Sequence, residues 1–197
     1  SPAVNSKMTG NFTESFDTYG AVSAKDTSLK TSVRDVTVAG NWVLRQNRRG
    51  ALSANPKAMI SANSMLLSGP ALDPLDNRIS YLVYNADIPA LNGKYTIKTN
   101  INKYNSASGI GIKFHMHDNY DQSYYLLMIN GINGDSNTWS FYKVVRGAVT
   151  HTVNGPSFSS PTTSGDGAYS SGDIAVTINV NANNISWSVY GARVGED

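Results

Sequence analysis

The sequence predicts an all-β protein built as an antiparallel sandwich or barrel, and three observations carry that expectation. Short runs rich in Val, Ile, Tyr, Thr and Phe recur between clusters of turn residues. No window of about 11 to 18 residues keeps apolar side chains at i, i+3, i+4 and i+7 without Gly, Pro or Asn breaking it. Charged residues make up 15% of the chain against a typical ~25%, so Ser, Thr, Asn and Gly must cover the surface.

Taken in order, the strand-like runs are 41–46, 80–85, 94–101, 109–117, 123–130, 138–145, 148–153, 173–181 and 184–190. Their hairpins are legible from the residues between them. Arg146-Gly147 provides the glycine that a two-residue turn favours, and Asn181-Ala182-Asn183-Asn184 provides residues that tolerate positive φ. Residues 69–77, with Pro70 and Pro74, and 155–172, with Pro156 and Pro161, read as long irregular connections. Residues 51–69 have weak periodicity and receive no face, and no internal repeat is found.

The 197 residues fit one domain, 1–197, with little room for a second complete core. The start at Ser1-Pro2 without Met suggests a piece of a longer or processed chain. The net charge is +2, and apart from Arg45, Arg48 and Arg49 the basic residues are scattered, which argues against a nucleic-acid partner. Without cysteine there is no disulfide, thiolate metal site or cysteine nucleophile. No apolar run is long enough for a membrane-spanning helix. The Thr/Ser/Asn-rich composition, with Glu14 and Glu196 as the two glutamates, leans towards a secreted or particle-surface location.

The most informative block is 109–147. Alternation along 109–117 places Ile110, Ile112, Phe114 and Met116 on a core face and Lys113, His115 and His117 on the other. A symmetric turn at 118–122 then sets His117 opposite Ser123, His115 opposite Tyr125, Met116 opposite Tyr124 and Phe114 opposite Leu126.

Phe114, Asp118, Tyr124, Tyr125, Leu126, Trp139, Lys143 and Gly147, taken in this order, resemble the concanavalin A-like, laminin G-like β-sandwich domains. Those jelly rolls occur as carbohydrate-binding modules and beside glycoside hydrolases. The opening Phe12 to Phe16 followed by Trp42, and the closing run 184–190, are similar to the ends of such domains. The resemblance implies a concanavalin A-like jelly roll in which a concave sheet face and its edge loops hold sugar.

The candidate ligand-binding residues are Lys113, His115, His117, Tyr125 and Tyr142 on the non-core face, with Tyr120 in the turn and Arg48 from the basic cluster. Aromatic rings stack on sugar rings, while charged and amide groups take hydroxyls. Arg48 and its neighbours suit a sugar carboxylate, which guanidinium binds bidentately. The plainer reading of the same residues is a solvated sheet face and a solvated turn. Asp118, Asp121 and Asp135 offer hard oxygens for Ca²⁺, and the 73–77 loop is another option, although Asp and Asn also make good turns. A zinc site using His115, His117 and His151 is disfavoured, because in a meander His151 lies three strands from His117, about 14 Å.

A sandwich glycosidase needs two carboxylates flanking the scissile bond. The paired-glutamate strand motif of such enzymes is missing, as are the elbow, phosphate-loop and zinc-helix motifs. The leading expectation is therefore a non-catalytic, lectin-like domain binding an oligo- or polysaccharide by stacking and hydroxyl hydrogen bonds. The alternatives are a structural or receptor-binding head of an extracellular or virus-like particle, and a polysaccharide hydrolase or lyase using His and Tyr.

Overall fold

The computed structural model describes residues 11–26, 35–46, 56–69, 80–86, 93–101, 109–117, 122–131, 136–155, 158–159 and 174–189. Among them every regular element is a strand and every pairing is antiparallel. The chain divides into two compact units, Ser1–Ala90 and Leu91–Asp197.

The first unit holds β1 (Val22–Asp26), β2 (Asp35–Ala39), β3 (Trp42–Gln46), β4 (Lys57–Ser61), β5 (Ser64–Ser68) and β6 (Ser80–Tyr84). They form two three-stranded sheets, ordered β1-β4-β5 and β2-β3-β6. Val38 and Leu44 of one sheet bury against Ala58 of the other, with Val22, Met65 and Leu82 around them, which makes a two-layer sandwich. Strands β1, β2, β4 and β5 are additional to the runs read from the sequence. The β4–β5 hairpin turns on Ala62 and Asn63, both left-handed at φ 51° and 58°. This is the backbone of a type I′ turn made without glycine, so its usual signal is absent.

The second unit holds β7 (Lys94–Ile101), β8 (Gly109–His117), β9 (Ser123–Gly131), β10 (Ser136–Val145), β11 (Ala148–Asn154), β12 (Phe158–Ser159), β13 (Ile174–Asn181) and β14 (Asn184–Val189). Strands β8 to β11 form a meander, with the short β12 also on β10; the second sheet runs β14-β13-β7. Alternation in β13 sends Ile174, Val176, Ile178 and Val180 inward. They meet Phe114, Leu127, Ile129 and Phe141 of the meander in one core. Burying each such side chain stabilises the sandwich by roughly 1.5–3 kcal/mol.

One register expectation is corrected. His117 faces Ser123 as the symmetric turn requires, but Phe114 faces Tyr125 and Lys113 faces Leu126. His115 and Met116 form a bulge, with His115 left-handed at φ 56°. An extra residue on one strand breaks the period-two pattern, so His115 does not pair with Tyr125, nor Phe114 with Leu126.

Candidate functional site

The bulge in β8 redistributes the residues expected on one face. Before it, alternation holds: Phe114 is buried in the core, and Ile110 and Ile112 pack against that core. At His115 the left-handed turn of the backbone carries the imidazole to the rim where the two sheets face each other. There His115 stacks parallel to Tyr95 of β7, with ring centres 6.2 Å apart and 5° between planes, and lies 5.9 Å from the ring of Tyr125. Tyr95 Oη and His115 Nδ1 are 3.0 Å apart. His115 is exposed, while Tyr95 and Tyr125 are half-buried. A non-glycine residue held at positive φ costs about 1–2 kcal/mol, so the surroundings must enforce it.

Burial, assisted by neighbouring Tyr125, raises the Tyr95 hydroxyl above its ordinary range. At neutral pH this phenol therefore keeps its proton and can both donate and accept. Tyr95 Oη and His115 Nδ1 share one hydrogen bond, and the imidazole tautomer sets which of the two donates.

Behind this rim a file of rings runs into the core. Tyr125 stacks on Phe141 at 5.8 Å and Phe141 on Trp187 at 4.5 Å, and Trp187 meets Trp139 edge-on at 5.3 Å. Phe114 tilts against Tyr125 from the side at 5.5 Å. The rings fix the orientation of Tyr125, and place Trp139 and Trp187 in structural rather than platform positions.

The register also defines two rows across the meander. Phe114, Tyr125, Lys143 and His151 stand directly opposite one another on the core side; Lys113, Leu126, Tyr142 and Thr152 do so on the other side. The expected single face of Lys113, His115, Tyr125 and Tyr142 is thus split. His115 and Tyr125 come together, joined by Tyr95, whereas Lys113 and Tyr142 lie on the opposite surface. That surface is not a solvated sheet face, because Tyr124, Leu126, Met128 and Val144 on it are all buried. The Lys113 ammonium sits 4.3 Å from the centre of the Tyr124 ring, a cation–π contact.

His117 is placed by its backbone at the end of β8, opposite Ser123. Three strand steps separate β8 from β11, which carries His151. Arg48, Tyr120, Asp118, Asp121 and Asp135 lie outside the described residues, as does the 73–77 loop. Of the basic cluster, Arg45 is committed to Asp35 through two hydrogen bonds of 2.9 and 3.0 Å. Among the described residues no three His, Asp or Glu side chains gather as metal ligands.

Tyr95 and Lys143 are site residues that the sequence reading missed. The alternation of Tyr95, Ile97, Thr99 and Ile101 marks an inward face, but no periodicity says which residue of the opposing sheet Tyr95 will meet. In the sequence Lys143 enters only as one of the residues that carry the family resemblance, yet strand pairing puts it beside Tyr125. No protein-family model matches the chain, and no curated protein or solved structure does.

Proposed function

We propose that the chain is a non-catalytic carbohydrate-binding protein of extracellular or particle-surface type, with its site at the Tyr95, His115 and Tyr125 rim of a concanavalin A-like jelly roll. The observation that carries this reading is the exposed His115, held in a strained left-handed bulge against Tyr95. Strain of this kind persists where an arrangement of side chains is worth its cost. Tyr125 offers a ring backed by a rigid aromatic file, on which a sugar ring can stack. The His115 imidazole and the two phenols supply the hydroxyl partners. The same geometry favours binding over proton abstraction. A tyrosine acting as a base needs its phenol lowered towards working pH, and Tyr95 is shifted the other way.

A glycan array probed with the chain, with calcium and again with chelator, tests the proposal. Specific binding that Tyr125→Ala abolishes while the far-UV spectrum is kept is the expected result. A blank array in both conditions sinks it.

A further inference from the structure

We infer that the sugar taken at this rim is anionic, carrying a carboxylate or sulfate that Lys143 binds; this rests on the carbohydrate reading above. Strand pairing puts Lys143 directly opposite Tyr125 and His151 directly opposite Lys143. Opposed residues on one sheet face have Cβ atoms about 5 Å apart, within reach of a sugar ring stacked on Tyr125. From Tyr125 to His151 the accessible part of the row crosses two strand intervals, about 10 Å, the span of a short oligosaccharide rather than one residue. The row changes character along its length: Phe114 is buried, Tyr125 half-buried, and Lys143 and His151 exposed. An apolar seat is therefore followed at once by an open cationic one.

The charge balance points the same way. The described residues of this unit include no Asp or Glu. The other described cations lie elsewhere. Lys94 and Lys98 are on the outward face of β7, Lys113 is on the opposite surface of the meander, and Arg146 is in the hairpin turn. A nucleic-acid track needs cations spaced along one surface, whereas here the described cations are dispersed and Lys143 alone of them stands beside the aromatic rings of the rim. It fits one charged substituent on a sugar.

The test uses matched polymers in affinity electrophoresis: polygalacturonate against its methyl ester, dextran sulfate against dextran, and single-stranded oligothymidylate. The expected result is retardation by an acidic polysaccharide but not by its neutral counterpart, weakened about fivefold by Lys143→Gln and falling with added salt. Lys143 is exposed, so this variant keeps the fold. Equal retardation by acidic and neutral forms, or an unchanged Lys143→Gln, overturns the charge assignment and leaves the carbohydrate reading standing. Retardation by oligothymidylate alone, or by nothing, overturns both.

Discussion

Tyr95 and His115 belong to different sheets, yet the phenol oxygen of one lies 3.0 Å from Nδ1 of the other, and His115 reaches it by adopting φ 56°. Backbone strain and side-chain bond are thus coupled, and two substitutions separate them. His115→Gly loses the bond but relieves the strain, so its stability should stay within about 1 kcal/mol of the parent. His115→Ala loses the bond and keeps the strain, and should fall about 1 kcal/mol below the glycine variant. Urea unfolding of both proteins checks the order. Equal midpoints would show that the bulge relaxes and that His115 is not held.

Gly155 lies under the Trp139 indole. A Cβ built there would come within 1.9 Å of the ring, and the Gly155 amide donates to the Trp139 carbonyl at 2.9 Å. Because Trp139 is wedged against Trp187, the ring cannot move aside without disturbing the aromatic file. Gly155→Ala should destabilise by about 3 kcal/mol, the upper range for overpacking, and alter the near-ultraviolet tryptophan signal. Gly111→Ala is the milder control: its Cβ would meet the ends of the Leu126 and Met128 side chains at 2.8 Å and the Leu127 carbonyl at 3.3 Å, a smaller overlap than that with the Trp139 ring.

In the first unit Glu14 ties the opening segment to β3. Its carboxylate accepts from the Trp42 indole at 2.8 Å, the Tyr19 hydroxyl at 2.7 Å and the Phe16 amide at 2.9 Å. Burial pushes the Glu14 carboxyl up, but hydrogen bonds from Trp42, Tyr19 and the amides of Phe16 and Ser15 together outweigh it, and the carboxyl is held below its ordinary value. A depressed carboxylate contributes stability above its unfolded pKa and loses it as pH falls through the folded value. The Tyr19 hydroxyl is pushed up to about 12 by burial and by Glu14, so its share is lost only as pH rises towards that value. The Trp42 indole proton resonance should stay put from neutral pH down to the ordinary glutamate range and move below it. Glu14→Gln should remove that acid step, and its persistence in the variant would assign the titration elsewhere.

Fold class was legible because strand alternation and turn residues are local properties. The β13–β14 and β10–β11 hairpins sit where their residues put them. The first unit was harder to read for a local reason as well: Ala62-Asn63 turns without glycine, and Ala58 and Ile60 offer only a short buried alternation. At the candidate site, alternation sets His115 directly opposite Tyr125, a pairing the bulge removes; the two rings meet through that bulge, which leaves no mark in composition. Tyr95 was out of reach because its contact with His115 crosses between sheets, where sequence separation carries no period.

The Arg146-Gly147 turn shows how a legible signal can still be improved. Both residues are left-handed, at φ 50° and 84°, which is the type I′ geometry, and only the second is glycine. Arginine at the first position bears the cost of its Cβ, while asparagine tolerates that conformation far better. The bonds that seat the turn come from its backbone: the Arg146 amide donates to Ser123 Oγ at 3.0 Å and the Gly147 amide to the Gln122 carbonyl at 2.9 Å. Replacing the side chain therefore leaves them intact. Arg146→Asn should stabilise the protein by about 0.5–1 kcal/mol, read as a higher denaturant midpoint with an unchanged slope. Gly147→Ala, which adds a Cβ at φ 84° that would meet only Gln122 Oε1, at an ordinary contact distance of 4.0 Å, should destabilise through the backbone alone. A midpoint lowered by Arg146→Asn would mean that the arginine side chain makes a contact worth more than the strain it imposes.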